Sequence, residues 1–237
     1  MNVTARIALH LIPNLLKTQT IFLCTDDTMV AKFGTKFENV SKLFDHAAHN
    51  GSNYLNGHCF VSLMLCVPVW KHNKISYLAV PLGYSMWQKK ESKLQLAASM
   101  VRLVMPELSQ KKNVIILCDS WYMKQNLVSI VDEYSNLDLI GNVRSDSVIY
   151  ALAPAPTGKK WRPAKHGKRL SIDDDFVLSD EKIGDYYTGV RRVLTNLFGT
   201  REVLHQPQKR MVQNACFSVQ FFQNSWKFSV HGMKKLH

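Results

Sequence analysis

The amino-acid sequence predicts an α/β fold in which a mixed sheet is flanked by helices. Residues 21–25 and 114–118 are short apolar runs without helical periodicity, which is typical of buried strands. Residues 91–108 and 122–134 instead repeat apolar side chains at spacings of three and four, which is typical of amphipathic helices. This alternation of strand and helix patterns favours a layered α/β domain.

The predicted elements follow the order βββαβαβ. Residues 59–69 and 74–81 are predicted strands around a turn, so they form an antiparallel meander with the first apolar run. Residues 137–143 and 147–152 supply further strands. The helix at 91–108 is expected to bury Leu94, Ala97, Ala98, Val101, Val104, Met105 and Leu108. The helix at 122–134 is expected to bury Met123, Leu127, Ile130, Val131 and Tyr134.

Composition limits the class of protein. With 237 residues and 46% hydrophobic content, the chain can bury a full core. Its formal net charge of +12 favours a polyanionic partner; nucleic acid is the commonest, although an acidic membrane surface also suits charge alone. The cysteines show no metal-type spacing, so we interpret them as reduced residues of a cytoplasmic protein. They are Cys24, Cys59, Cys66, Cys118 and Cys216.

The N-terminal segment and the most apolar window are both too short or too interrupted for a membrane. Charged residues and Pro13 break every apolar run before residue 20, which excludes a signal peptide. Residues 59–70 are apolar but include Pro68 and cannot span a bilayer. Ile7, Leu11 and Leu15 recur at intervals of four and predict an amphipathic lead-in helix within residues 1–19.

Aspartates stand where two of the apolar runs stop. Asp26 and Asp27 follow the first run, and Asp119 follows the second. Ligands collect at the carboxyl ends of strands in open α/β sheets, so neighbouring strands would bring Asp26 and Asp119 to one divalent ion. Carboxylate oxygens suit Mg²⁺ or Mn²⁺. The alternative is that Asp119 only caps a helix beginning near Tyr122.

Residues 24–34 and 117–122 resemble the first two catalytic segments of bacterial insertion-sequence transposases of the DDE superfamily, and residues 159–169 resemble their basic insert. The resemblance covers about residues 20–205. It implies a ribonuclease-H-like fold and metal-dependent cleavage and joining of DNA strands. It also implies catalytic and metal-binding roles for Asp26 and Asp119, Mg²⁺ or Mn²⁺ as cofactor, transposon-end and target DNA as partners, and a homo-oligomer in a synaptic complex. The family pattern Asp-x-Thr selects Asp26 over Asp27.

Residues 154–170 combine prolines and glycines with dense positive charge. Such side chains neutralise phosphates, and the interleaved Trp161 can stack on a base. The alternative is a solvated charged loop. The candidate DNA-binding residues are Lys159, Lys160, Arg162, Lys165, Lys168 and Arg169. The acids at 173–175 are expected to form a solvated turn, and the histidines at 46, 49 and 58 do not match a zinc pattern.

The C-terminal composition changes abruptly after Glu202, the last acidic residue. The resembling family continues with a third acid in the pattern Tyr-x-x-Arg-x-x-x-Glu, and none of the eight tyrosines here has Arg three positions later. We therefore interpret 207–237 as an irregular, frameshifted tail. The expected organisation is a helical lead-in at 1–19, a catalytic core at 20–152, a basic insertion with strands at 153–206, and the tail.

Two functional hypotheses follow. The first is a DDE-type DNA transposase fragment that lacks the family's N-terminal domain and third acid and is inactive as it stands. The second is a non-catalytic, basic DNA-binding remnant. A phosphatase of the haloacid dehalogenase type is excluded, because Thr25 occupies the position where that nucleophile loop needs its first acid.

Overall fold

The computed structural model describes residues 1–34, 36–44, 53–110, 113–143, 147–156, 158, 162–171, 174–179, 182–183, 186–195, 199–205 and 217–221. The chain divides into two compact units, Met1–Leu117 and Cys118–His237. Helices and strands together give a mixed α/β fold, as predicted. Within the described ranges, no helix is long and apolar enough to cross a membrane.

The first unit is a mixed sheet with two helices. β3 pairs antiparallel with β1 on one side and with β2 and β4 on the other, while β1 pairs in parallel with β5. The elements in chain order are α1 (Asn2–His10), a 3-10 turn (Asn14–Leu16), β1 (Ile21–Ala31), β2 (Ser41–Phe44), β3 (Tyr54–Lys71), β4 (Lys74–Met86), α2 (Lys93–Leu108) and β5 (Val114–Cys118), whose last residue opens the second unit.

The second unit has an antiparallel sheet. Its strands lie in the order β6, β13, β12, β11, β7, β8, and β9 pairs with β10 separately. The elements are α3 (Gln125–Val128), a 3-10 helix (Ser129–Glu133), β6 (Leu137–Val143), β7 (Ile149–Tyr150), β8 (Arg169–Leu170), β9 (Lys182–Ile183), β10 (Tyr186–Tyr187), β11 (Gly189–Thr195), β12 (Gly199–His205) and β13 (Phe217–Phe221).

The predicted meander of β1, β3 and β4 is confirmed, and its strands are longer than expected. The β3–β4 hairpin turns at His72 and Asn73, which have φ of 49° and 58°. Positive φ at both central residues matches the right-handed twist of the flanking strands, and asparagine tolerates this conformation well. Local turn chemistry therefore agrees with the strand pattern.

The predicted helix α2 is confirmed together with its buried face. Ser92 caps its first turn: the hydroxyl accepts the Gln95 amide, and the Gln95 side chain accepts the Ser92 amide. All seven residues expected on the apolar stripe are buried. This stripe covers the sheet side of the first unit's core, where Leu63 and Leu65 of β3 are fully buried.

The predicted face of the N-terminal helix is wrong. Ile7, Leu11 and Leu15 are 59%, 58% and 81% exposed, whereas Ala5 and Ala8 are buried. Alanine lets α1 approach α2, β3 and β4 closely, and Arg6 donates two 2.7 Å hydrogen bonds to Glu107 of α2. Close packing through small residues therefore overrides the larger apolar stripe.

The helix predicted at 122–134 is shorter than expected. Lys124 is extended, so α3 begins only at Gln125, and after one turn it continues as a 3-10 helix. Tyr122 and Met123 precede it, yet both are buried, and Tyr134 is only half-buried. The apolar pattern therefore identified buried residues, although Tyr122 and Met123 are buried from a turn and not from a helix.

The tail contains one described strand, β13, which pairs with β12 and β6. The expectation of an irregular tail is therefore wrong for Phe217–Phe221. Strands were expected within residues 153–206, and β11 and β12 lie in that range. The rest of the tail after His205 lies outside the described residues.

Candidate active site

β1 carries its two aspartates to opposite faces of the sheet. Successive side chains alternate in a strand, so Thr25 and Asp27 lie on the face that packs against α2, and Asp26 lies on the other face. Thr25 is buried, and its hydroxyl donates to the Ser62 carbonyl at 3.1 Å. Asp26 is exposed.

Asp26 does not end its strand, contrary to the prediction. Pairing of β1 with β5 runs only from Ile21–Val114 to Cys24–Leu117, but pairing with β3 continues to Ala31, which is opposite Gly57. The longer β3 partner keeps β1 extended for five residues beyond Asp26. Asp26 is thus in a rigid strand, just beyond the part of β1 that pairs with β5.

Asp27 is an anchor between β1 and α2. Its Oδ2 accepts a 2.6 Å hydrogen bond from Lys93 Nζ and a 3.2 Å bond from Cys59 Sγ. The paired Lys93 and Asp27 side chains are only 20% and 19% exposed. Lys93 of α2 is therefore held in a half-buried ion pair with β1. The sequence alone could not show that Lys93 of α2 meets Asp27, because this contact depends on the register of β1.

Burial and charge oppose each other in this cluster. Burial lowers the pKa of the Lys93 amine, but the hydrogen bond and negative charge of Asp27 outweigh it and leave that pKa raised. Burial, and after it the hydrogen bond to Asp27, raise the pKa of the Cys59 thiol to about 11. Lys93 is therefore a cation and Cys59 a neutral thiol at neutral pH.

Asp26 is held in place through backbone hydrogen bonds. Its Oδ1 accepts the amide of Asp27 at 2.8 Å, and Ser62 donates to its main-chain carbonyl at 3.0 Å. Ser62 is the direct register partner of Asp26 on β3. The carboxylate consequently has a defined position on the sheet face opposite α2.

Asp119 is the first residue after β5, as predicted. Its Oδ1 accepts the amides of Trp121 and Tyr122 at 3.0 and 3.1 Å, so it stabilises the turn that ends the strand. Asp119 accepts backbone amides, as the capping alternative expected. These amides belong to a turn and not to a helix, because α3 starts only at Gln125. The Asp119 side chain itself is exposed.

Two aromatic residues follow Asp119. Tyr122 is fully buried, and the Trp121 ring packs edge-on against it with centroids 5.1 Å apart. Trp121 is 40% exposed, and Lys124 Nζ lies 4.4 Å from its ring centroid. A partly exposed indole with a cation beside it is a feature of nucleic-acid surfaces. The charge and aromatic pattern of 119–124 could have suggested this contact from sequence.

Close packing between the turn after β5 and the backbone of β6 explains why residue 141 is a glycine. A Cβ on Gly141 of β6 would lie 2.3 Å from Met123 Sδ and 3.1 Å from Cys118 Sγ. Cys118 Sγ and Met123 Sδ are 3.7 Å apart, so the turn packs directly on the β6 backbone. Burial, and then the charge of Asp119, raise the pKa of Cys118 to about 12.

In the ranges the structure describes, no group of three or more His, Cys, Asp and Glu side chains, with or without Asp26 and Asp119, could hold a metal ion. His58 contacts the Glu38 carbonyl at 2.8 Å, and Asp175 accepts from Lys168 and from the Ser171 amide. His46, His49 and Asp173 lie outside the described residues.

The described part of the basic segment is exposed. Arg162, Lys165, Lys168 and Arg169 all present their side chains to solvent, while Lys159, Lys160 and Trp161 lie outside the described residues. Lys168 is paired with Asp175 at 2.6 Å, so part of its charge is neutralised. Main-chain bonds of Ala151 to Lys168 and Gly167 attach the segment beside β7 and β8.

Comparison with known proteins gives one family. The sequence model described as DDE superfamily endonuclease matches residues 2–185. The match includes α1, both aspartate-bearing segments and the basic segment. No curated protein matches the chain.

Proposed function

The chain belongs to the DDE superfamily endonucleases, and we propose that Asp26 and Asp119 belong to its metal-dependent site for cleaving and joining DNA strands. Members of this superfamily act on DNA and generally use divalent metal ions. The mixed α/β fold is consistent with the ribonuclease-H-like architecture expected of them. The chain's net charge of +12 suits a DNA partner.

The parallel register of β1 and β5 carries the proposal. Cys24 and Leu117 are the last register partners of the two strands. Asp26 is two residues beyond Cys24, and Asp119 is two residues beyond Leu117. The two acids therefore follow one register pair at the same sequence spacing. This supports a shared role for Asp26 and Asp119.

Asp26 suits a metal better than Asp27. The Lys93 ammonium already contacts Asp27 Oδ2, and a divalent cation there would meet a positive charge at short range. Asp26 is exposed on the opposite face, where a backbone amide holds its Oδ1 in position. We therefore assign the ligand role to Asp26 and an anchoring role to Asp27.

The donor set fits a hard cation. Exposed carboxylate oxygens suit Mg²⁺ or Mn²⁺, and such an ion, when bound, supplies an activated oxygen nucleophile and neutralises charge on the phosphate. The chain's own contribution is to hold the two carboxylates. The β3 ladder fixes Asp26, and two backbone amides fix one oxygen of Asp119.

We propose that the 237-residue chain binds DNA but does not perform strand transfer. Two carboxylates hold a metal loosely, and the pattern expected for the third acid does not occur in this sequence. Loss of a ligand removes several kcal/mol of transition-state stabilisation, on the order of 10²- to 10³-fold in rate. A non-catalytic DNA-binding role remains the second candidate, favoured by the same missing pattern.

DNA contact is assigned to the basic segment. Arg162, Lys165 and Arg169 are exposed, and together with Lys168 they lie within eight positions of sequence. Lys159 and Lys160 extend this charge in sequence. A homo-oligomer on paired DNA ends is part of the same proposal, because strand joining in this superfamily needs two ends in one complex, and this chain would form that complex without joining them.

Metal binding tests the site without depending on catalysis. Mn²⁺ titration by calorimetry or electron paramagnetic resonance should show one weak site in the full chain. Asp26→Asn and Asp119→Asn should each remove it, whereas Asp27→Asn should keep it. A Mn²⁺ affinity unchanged by both Asp26→Asn and Asp119→Asn would overturn the site.

Plasmid nicking tests the activity. The purified chain in Mg²⁺ or Mn²⁺ should bind supercoiled plasmid and leave it unnicked. Nicking that disappears in Asp119→Ala would establish the site and contradict the proposed inactivity. A chain that binds neither Mn²⁺ nor plasmid would refute the proposed function altogether.

Salt dependence tests the DNA surface. Neutralising Arg162, Lys165 and Arg169 to Gln should reduce the slope of log affinity against log salt by about 0.9 for each phosphate that the segment no longer neutralises. Lys42→Gln, on β2 of the first unit, is a control for a basic residue outside the segment. If the triple variant has the same slope as the unsubstituted chain, the segment is a solvated loop that makes no phosphate contacts.

A further inference from the structure

Cys24 and Cys66 form a close thiol pair within the first unit. Their Sγ atoms are 3.7 Å apart, and both residues are half-buried free cysteines. Cys24 is the register partner of Met64, and Cys66 is the partner of Phe22, so the cysteines are diagonal neighbours on one sheet face. This face is opposite the fully buried one that carries Leu23 and Leu65.

We propose that Cys24 and Cys66 are an oxidisable dithiol site, in which a hydroperoxide converts the pair into a disulfide between β1 and β3. The Cys66 thiolate attacks the peroxide oxygen, the O–O bond breaks, and water or an alcohol leaves after taking a proton. The Cys24 sulfur then attacks the sulfur of the resulting sulfenic acid, the S–O bond breaks, and the displaced hydroxide leaves as water with the proton of the Cys24 thiol. The two thiols lose two electrons, and the peroxide gains them.

Contact distance and reactivity both favour this pair. The other described cysteines lack a second thiol as hydrogen-bond partner: Cys59 contacts Asp27, and Cys118 contacts Met123. The hydrogen bond between the two thiols lowers the pKa of Cys66 to about 7 against the opposing effect of burial, whereas burial raises the pKa of Cys59 to about 11. A low-pKa thiolate beside a resolving cysteine is the arrangement of oxidant-sensitive sites.

Bond formation would act on the strand that carries Asp26. The sulfurs must close from 3.7 Å to the bonded distance of about 2.05 Å. Diagonal neighbours are farther apart than direct partners, so closure combines side-chain rotation with a small shift of β1 along β3. Asp26 follows Cys24 by two residues on the same face. If the proposed metal role of Asp26 holds, oxidation therefore lowers Mn²⁺ affinity.

Peptide mapping of the full chain tests the disulfide. After brief hydrogen peroxide treatment and alkylation of remaining thiols, non-reducing mass spectrometry should find a Cys24–Cys66 linked peptide that dithiothreitol releases. Chymotrypsin cleaves after Phe60 and so separates Cys59 from Cys66. Cys59 and Cys118 should be alkylated intact in the same sample, as internal controls. Absence of the linked peptide, or pairing of either cysteine with Cys59 or Cys118, would overturn the proposal.

A variant and a metal titration complete the test. In Cys24→Ser, dimedone should trap Cys66 as a sulfenic acid, because the resolving thiol is absent; an unreacted Cys66 contradicts the assigned order. The unsubstituted chain decides the disulfide by itself if this variant does not fold. Mn²⁺ titration of the oxidised chain is a separate readout: equal affinity before and after oxidation refutes coupling to Asp26, even where the disulfide forms.

Discussion

The two aspartate-bearing segments, β1 and the turn after β5, begin with similar sequences and are held by different forces. In β1, Asp27 is fixed by a half-buried ion pair to α2, while its neighbour Asp26 lies on the other face of an unbroken ladder. In the turn, Asp119 itself accepts two backbone amides. In β1, therefore, Asp27 attaches the strand to α2 and Asp26 is the exposed carboxylate. In the turn after β5, Asp119 both stabilises the backbone and is the exposed carboxylate.

This difference implies that substitutions separate stability from metal binding in β1 and not in the turn. Asp27 can be lost at a cost in folding while Asp26 retains its place. Asp119 has no neighbouring acid within β5 or its turn.

Asp27→Ala should lower the free energy of unfolding by about 2 kcal/mol, because it leaves the half-buried Lys93 ammonium without its carboxylate. Asp26→Ala should change stability by no more than about 0.5 kcal/mol, as for exposed surface sites. Urea denaturation measures both. Asp27→Ala with Lys93→Met should recover part of the loss, and equal losses in the two single variants would contradict the anchoring role.

Asp26→Asn and Asp119→Asn should each weaken Mn²⁺ binding at least about tenfold, which is about 1.4 kcal/mol. A neutral amide removes the charge that attracts the cation and preserves the size of the side chain. Asp27→Asn is the matched control in β1, and calorimetric titration provides the measurement. A larger loss in Asp27→Asn than in Asp26→Asn would reverse the assignment within the pair.

Alkaline pH should destabilise both regions, because each has a thiol with a raised pKa. Below pH about 9 these thiols are protonated in both states, so they cause no pH dependence. Above it, the unfolded chain loses protons that Cys59 and Cys118 retain until about 11 and 12, so stability falls by about 1.4 kcal/mol per pH unit for each thiol. The raised pKa of Lys93 adds a loss in the same direction at higher pH.

Urea midpoints at pH of about 8, 9, 10 and 10.5 check this slope. Cys118→Ala removes one titrating thiol from the second unit and should flatten the dependence there. A midpoint that does not change across this range would show that neither thiol is protected by folding.

Asp119→Ala should cost about 1 kcal/mol of stability, since the amides of Trp121 and Tyr122 lose their acceptor. Asp119→Asn should cost less, because the amide oxygen still accepts these bonds. Comparing the two variants separates the acceptor from the charge. Equal stability of Asp119→Ala and the unsubstituted chain would show that water replaces the carboxylate without loss.

Sequence periodicity correctly predicted the elements whose packing in the fold agrees with their own pattern of apolar residues. The α2 face is correct at all seven positions, and β6 has the predicted bounds, because burial of a whole stripe or run is visible in the residue types themselves. The aspartates after the two apolar runs were also visible in the sequence. Their assignment to a shared metal remains a proposal.

Tertiary structure decided the features that depend on a partner strand or helix. β1 continues past Asp26 because β3 is long enough to pair with it, and Lys93 meets Asp27 because α2 crosses that face. Likewise α1 is turned toward its alanines by close packing, against its larger apolar stripe. The sequence alone determined which residues prefer burial and where charge accumulates. Register and approach distance determined which of them meet, since pairing energies sum over residues far apart in the chain.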